Sequence, residues 1–518
     1  MDRTTIDPAT LDALLAPHNR CDRPGVAVGI ARHGVPVYRR WLGLASVDQP
    51  LALSPATRMR IGSTTKHMTC LAVMLLQEAG RLSIDDPVRR HIAEVGAWGD
   101  RATLAQLMSH VSGIRDSLDV LTLTNDIIGR PLAAADQLAI QAGFGSVNFA
   151  AGTDWMYCNG GYVLLTEVVQ RVSGMAFGDF LRDRIFAPLG MHDTLARPLD
   201  LDFLPNSAAL HVRNAAGGWD RGVFGPAIGG EGNVVSTIDD MLRWLRHMDR
   251  PIVGRAETWA RMYLPASVTP GGSTGYGLGL VSTRYRGLPV VFHTGGVIGG
   301  TCQMLKAPDQ GLDIIVITNS WDAYAAPIAN QILDACVADL HPLPETVPGP
   351  FPVGDFVSPL TGRHARLIEQ EGKPAADIDG TIVPLVRRAD GSLWLQANFD
   401  AGAVMAPAGA DVLLWHEYER TDRLERVPAA APDATLAIAG RWRAEELGAM
   451  ARVDTADGET MTIVGEHGRF AYRLVPKARG LWSLLGPKGP AGRIEHRGDA
   501  LLLSSISTRR LRFEREVA

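Results

Sequence analysis

The sequence predicts a mixed α/β domain, an antiparallel sheet flanked by helices over residues 1–341, followed by two small antiparallel β-barrels at 355–432 and 433–518. Three observations predict it. Apolar strand patterns lie near both ends of the first region with helical periods between them; prolines crowd residues 342–354; and beyond them the pattern shortens to alternating strands parted by turns. At 518 residues the chain exceeds one ordinary domain, since domains run to roughly 100–200 residues.

Taken in order, Val26-Ala27-Val28-Gly29-Ile30 and Val35-Pro36-Val37-Tyr38, parted by His33-Gly34, read as a β-hairpin. Helical periods follow at 68–78 and 162–172, alternating with Gly-rich loops. Residues 313–318 form an apolar strand that leads into a helix near 327–340. Pro342, Pro344, Pro348, Pro350 and Pro352 then make 342–354 a stiff, extended linker. Beyond it, Gly391-Ser392-Leu393-Trp394-Leu395 and Asp499-Ala500-Leu501-Leu502-Leu503 read as short strands with turn signals. Leu360-Thr361-Gly362-Arg363-His364 is echoed 78 residues later by Ile438-Ala439-Gly440-Arg441-Trp442, which points to two related modules. Two unrelated strand starts within one larger β domain are the alternative.

Composition narrows the function classes. Hydrophobic residues make up 46% and charged residues 21%, as in a globular protein. A net charge of −5, with basic residues scattered, offers no footprint for nucleic acid. The start of the chain has mixed charge instead of the apolar core of a secretory signal, and no apolar run reaches membrane-spanning length. The five cysteines, odd in number and without a CxxC pair, read as reduced, buried thiols. Together these point to a cytoplasmic protein that engages neither membrane nor nucleic acid.

The chemistry begins at Ile61-Gly62-Ser63-Thr64-Thr65-Lys66, directly before an apolar helix. Ser63 and Lys66 then share one helix face, being three residues apart. A desolvated lysine can take the serine proton, and the helix end supplies N–H groups where an oxyanion forms. The same pattern also describes a helix cap with a solvated lysine. Two further segments weigh against that blander reading. Trp155-Met156-Tyr157-Cys158-Asn159-Gly160-Gly161 precedes a helix and offers a phenol to relay protons and an amide to meet a substrate amide. Val290-Val291-Phe292-His293-Thr294-Gly295-Gly296 is a strand ending in polar and glycine residues where an extended substrate can align.

The set S-x-x-K, Y-x-N and H-x-G, in that order, resembles the serine β-lactamase and DD-peptidase superfamily. Tyrosine in the second motif resembles the class C-like branch, and His293 in place of the third-motif lysine is similar to the D-aminopeptidase branch and removes a permanent positive charge that penicillin-binding enzymes use to hold a carboxylate. Leu107-Met108-Ser109-His110-Val111-Ser112-Gly113-Ile114, Phe186-Ala187-Pro188-Leu189-Gly190-Met191 and Tyr276-Gly277-Leu278-Gly279-Leu280 resemble further stretches of that branch, so the likeness covers about residues 20–340.

The resemblance implies a β-lactamase-like catalytic domain in which Ser63 attacks, Lys66 and Tyr157 move protons, and His293 orients and polarises. The N–H groups of Ser63 and Gly296 would form the oxyanion hole, and Asn159, Glu231, Gly295 and Gly296 would bind substrate. Glu231, in Ile228-Gly229-Gly230-Glu231-Gly232, is the candidate partner of a free ammonium. No metal and no cofactor is required, and no HExxH or Cys/His cluster asks for one. The expected partner is a small peptide or amide substrate, with a homodimer as an assembly the sequence allows without specifying. D-aminopeptidases carry a loop from the last barrel that limits substrate size, and residues 486–492, with Lys488, are the candidate equivalent. The rival readings are an esterase or broad peptidase of the class C-like branch, and a silent binding protein with the same fold.

Overall fold

The computed structural model describes residues 4–124, 131–378, 381–395, 402–428, 437–456, 459–466, 468–486 and 489–516. The first domain is framed by helix α1 (Pro8–Leu15), strands β1 (Val26–Arg32) and β2 (Val35–Leu42), and helices α2 (Lys66–Glu78), α3 (Asn159–Ser173) and α4 (Ile238–Asp249). It is completed by strands β3 (Val281–Tyr285), β4 (Leu288–Val297), β5 (Gly300–Ala307) and β6 (Leu312–Thr318), and helix α5 (Ala325–Cys336). The six strands form one antiparallel sheet in the order β3-β4-β5-β6-β1-β2. β1 pairs with β6 from Val26 opposite Thr318 to Arg32 opposite Leu312, so segments nearly 300 residues apart lie side by side.

Alternation along β1 divides the core into two layers. Val26, Val28 and Ile30 pack with Leu11 and Leu15 of α1 and Ile328 and Ile332 of α5. Ala27 and Ala31 face the larger layer built on α2, α3 and α4. β1 and β2 are joined by His33 and Gly34, both at positive φ (50° and 74°), the two-residue turn whose twist matches paired strands. This is the hairpin the sequence predicts.

Residues 341–353 carry neither helix nor strand. After them, nine strands between Gly354 and Val427 form one sheet whose outermost members, Thr381–Pro384 and Val386–Arg387, are separated in the chain by Leu385 alone. The sheet must therefore curl until its edges adjoin. Eight further strands between Gly440 and Arg515 close a barrel, the first (Gly440–Ala444) pairing with the last (Leu511–Arg515). The echoed stretches precede the second strand of one sheet and open the first strand of the other.

The final barrel is not an independent bead. Leu123 of the first domain is buried among the barrel's own core side chains, and the Tyr472 hydroxyl donates to the Leu123 carbonyl at 2.6 Å. The cysteines are unpaired, with Cys21 exposed and the other four buried. No helix among the described residues is long and apolar enough to cross a membrane.

Candidate active site

Ser63 lies in a single 3₁₀ turn, Gly62–Thr65, that runs directly into α2. β4 presses against this turn so closely that glycine is required on both sides. A side chain at Gly295 would meet the Ile61 carbonyl at 1.8 Å, and one at Gly62, itself at φ 53°, would meet the Gly296 backbone nitrogen at 2.9 Å. Thr64 adds a hydrogen bond from its hydroxyl to the His293 carbonyl at 3.3 Å. The backbone of Gly296 is thereby set beside the start of the Ser63 helix, where two N–H groups can converge on one oxygen.

Lys66 is fully buried. Its Nζ lies 3.0 Å from Ser63 Oγ, 2.8 Å from Asn159 Oδ1 and 2.8 Å from the Glu231 carbonyl. Asn159 cannot flip to meet it differently, because its backbone N–H and Nδ2 both donate to Asp116 Oδ2, at 2.7 and 3.3 Å. Asp116 also accepts from the Gly160 N–H and so caps α3. Burial pulls the Lys66 amine down to about 7, against the opposing fields of the Glu231 and Asp116 carboxylates.

Burial holds the Tyr157 phenol well above the ordinary phenol range, against the opposing pull of the Ser63 hydroxyl, so it stays neutral. Its ring lies 4.8 Å from Lys66 Nζ and 4.3 Å, centroid to centroid, from His110. His110 begins a directed chain. The Cys158 N–H donates to His110 Nδ1 at 3.1 Å, so Nε2 must carry the proton it shares with the Tyr276 oxygen at 3.2 Å. The Tyr276 hydroxyl then donates to His293 Nε2 at 2.8 Å, and His293 Nδ1–H donates to the Thr294 carbonyl at 2.7 Å. Both ring nitrogens of His293 are engaged, and burial pushes it down to about 3. His293 is a neutral, anchored imidazole beside the Tyr157 ring, at 6.4 Å between centroids.

A cavity of about 510 Å³ opens over this group. Ser63, Asn159, Glu231 and Gly296 line it, together with the apolar Leu118, Phe224, Ile298, Trp321 and Tyr324. Lys66, Tyr157 and His293 are not among its lining residues, and a side chain at Gly295 would point at the Ile61 carbonyl. Glu231 is buried. Its Oε1 accepts from the Gly229 N–H at 2.8 Å, and its Oε2 has no hydrogen-bond partner. It is the one charged side chain among the described residues of the wall.

Asp116 stands two residues beyond the family-like stretch 107–114 and belongs to no motif read from the sequence, and His110 and Tyr276 lie within family-like stretches that assign them no part. The apolar wall carried no signal, since its members come from segments spread between residues 118 and 324. In the expected loop at 486–492, Pro487 and Lys488 lie outside the described residues. A different loop of the last barrel, 505–509, reaches the first domain. The Ser507 hydroxyl donates to the Tyr157 carbonyl at 2.8 Å, and Arg509 meets Asp154 at 2.6 Å. Ser505 and Thr508 both donate to Asp119 Oδ2.

Comparison with known proteins adds the following. A family model described as Beta-lactamase matches residues 11–337. A D-aminopeptidase of Cereibacter sphaeroides is 27% identical over 464 residues, covering 88% of this chain and 86% of the relative. A D-aminopeptidase of Brucella ovis is 26% identical over 454 residues, covering 85% and 83%. Among solved structures, an octameric penicillin-binding protein homologue from Pyrococcus abyssi superposes with a TM-score of 0.58 at 20% identity, over 90% of this chain and all of the other. The D-amino acid amidase of Ochrobactrum anthropi SV3 complexed with D-phenylalanine gives 0.54 at 21% identity, over 63% of this chain and 98% of its own.

Proposed function

The chain belongs to the beta-lactamase family of serine hydrolases, and from that premise we propose that it releases N-terminal D-amino acids from short amides, esters or peptides through an acyl-enzyme on Ser63. The observation that carries the reading is the dry Lys66 amine, pulled to about 7 and held 3.0 Å from Ser63 Oγ. As Ser63 Oγ bonds to the substrate carbonyl carbon, its proton passes to the neutral Lys66 Nζ. The carbonyl oxygen becomes an oxyanion held by the Ser63 and Gly296 N–H groups. When the C–N or C–O bond breaks, Lys66 returns the proton to the leaving group through the Tyr157 hydroxyl. Water then repeats the sequence on the ester and frees Ser63.

Substrate class rests on three supports. The relatives named D-aminopeptidase cover most of the chain. Glu231 brings a carboxylate with one unpartnered oxygen to the cavity wall, which suits a free ammonium. His293 is neutral and saturated, and the described wall offers no cation, so a leaving group bearing a carboxylate gains nothing there. Amides and esters are therefore favoured over peptides with a free carboxylate beside the scissile bond. We propose a homodimer, to be tested by light scattering; the Pyrococcus abyssi homologue is itself described as octameric.

Initial rates on D-alanine, L-alanine and N-acetyl-D-alanine p-nitroanilides, with Ser63→Ala as blank, test the reading. Turnover confined to free D-alanine and abolished in the variant is expected. Ser63-dependent turnover of the acetylated or L substrate would move the assignment to a class C-like esterase or broad peptidase.

A further inference from the structure

Residues 154–158, which carry Tyr157, form neither helix nor strand. Such a segment has no ladder to satisfy its polar groups and must find partners elsewhere. The first domain supplies few of them. His110 accepts from the Met156 N–H at 3.0 Å and, through Nδ1, from the Cys158 N–H at 3.1 Å. Asn148 Nδ2 donates to Met156 Sδ at 3.3 Å, and Cys158 Sγ–H donates to the Arg115 carbonyl at 3.7 Å. Further contacts come from the two C-terminal units. From the nine-stranded unit, Arg420 donates to Asp154 Oδ1 at 2.8 Å and to the Trp155 carbonyl at 3.4 Å, and its guanidinium lies over the Trp155 ring. From the last barrel, Arg509 donates to Asp154 Oδ2 at 2.6 Å, and Ser507 donates to the Tyr157 carbonyl at 2.8 Å. One carboxylate three residues before the phenol thus offers one oxygen to an arginine of each unit.

The two arginines are themselves held. Arg420 also meets Glu417 at 3.0 Å, and the Arg509 N–H donates to Asn148, whose amide donates in turn to the Ser507 carbonyl at 3.0 Å. Both guanidinium groups are more than nine-tenths buried, so the ion pairs are weakly screened and the loss of one partner strands the other. The hairpin bearing Arg420 is seated so tightly that a side chain on Gly275 would overlap the Tyr418 ring, at 2.0 Å from its Cε1.

We propose that Asp154, clamped between Arg420 and Arg509, is a positioning residue that sets Tyr157 against Ser63, so that both C-terminal units complete the catalytic geometry of the first domain. The proposal rests on the reading of Tyr157 as the proton-moving phenol. It also gives the barrels a task other than filtering substrate by size. An irregular segment pinned at its side chain and at two carbonyls holds its phenol within the few tenths of an ångström that proton transfer needs; unpinned, it does not.

The test uses the full-length chain and reads Ser63 directly, as the rate of labelling by a fluorophosphonate probe, with kcat and KM for D-alanine p-nitroanilide alongside. Asp154→Asn, and Arg420→Gln combined with Arg509→Gln, are expected to slow labelling and to lower kcat at least about tenfold with KM little changed. Adding Asp154→Asn to the arginine pair should do little more, since the three act as one unit. Asp154→Glu should recover part of the loss. Lys477→Gln removes a 3.5 Å ion pair to Asp377 between the two C-terminal units, away from Tyr157, and should shift melting while labelling stays at the wild-type rate. Wild-type labelling and kcat in a folded Asp154→Asn chain would overturn the proposal. Should that variant not fold, Arg420→Lys and Arg509→Lys keep the charge and lose the planar fork, and unchanged rates in both would overturn it equally. A wild-type chain that the probe never labels would sink the serine-hydrolase reading itself and this role with it, whereas labelling without D-alanine p-nitroanilide turnover would fault the substrate class alone and leave the labelling rates to decide.

Discussion

A neutral amine has two N–H bonds and one lone pair, and the surroundings of Lys66 offer two obligate acceptors and one hydroxyl. Asn159 Oδ1 and the Glu231 carbonyl take the two hydrogens, which leaves the lone pair for the Ser63 proton. Stereochemistry and burial therefore favour the same protonation state, and the pH dependence follows. Below the Lys66 value of about 7 the base is protonated, so kcat/KM should fall about tenfold per pH unit and level off above it. A profile flat from pH 5 to pH 8 would rule Lys66 out as the base. Glu231→Gln should raise KM for free-amine substrates about tenfold or more while sparing N-blocked esters, read from paired Michaelis curves. Tyr276→Phe leaves the buried His110 Nε2–H and His293 Nε2 without their shared partner and should cost about 1–3 kcal/mol in urea unfolding. Ser63, Lys66 and Tyr157 were legible because motif order constrains them. Tyr276 was not, because a hydrogen-bond bridge between two histidines leaves no mark in linear spacing.

At the scale of elements, the meeting of β4 with the turn before α2 governs the site. Glycine at 295 reads in the sequence as a place for substrate to approach; in the fold, the group that approaches is the Ile61 carbonyl. Gly295→Ala should therefore force strand and turn apart and abolish labelling of Ser63 together with a fall in melting temperature, whereas Gly296→Ala, which meets nothing within 4 Å, should fold normally. The helices at 66–78 and 159–173 and the strand at 312–318 were legible within a few residues, since apolar period reports which face an element buries. Period says nothing of which elements adjoin. The cavity wall, assembled from Leu118, Phe224, Ile298, Trp321 and Tyr324, was invisible for that reason.

At the scale of the whole molecule, three units meet on Asp154, and the first domain is not expected to be self-sufficient. Residues 1–341 alone would expose Leu123 and leave Asp154 without either arginine, so this fragment should melt lower and label slowly; retention of full activity with wider substrate size would instead favour a filtering role for the barrels. The proline-crowded stretch announced a boundary, yet the contacts across it had no trace in composition, because Ser507 and Arg509 look like any polar turn. The Arg509–Asp154 bond joins residues 355 apart. At usual rates of protein synthesis a ribosome needs roughly 20–70 s to cover that distance. If the clasp acts as proposed, a nascent chain would through that interval already hold Ser63, Lys66 and Tyr157 but lack the contacts that bring the phenol to bear, and would reach its full rate only once the last barrel has emerged and closed.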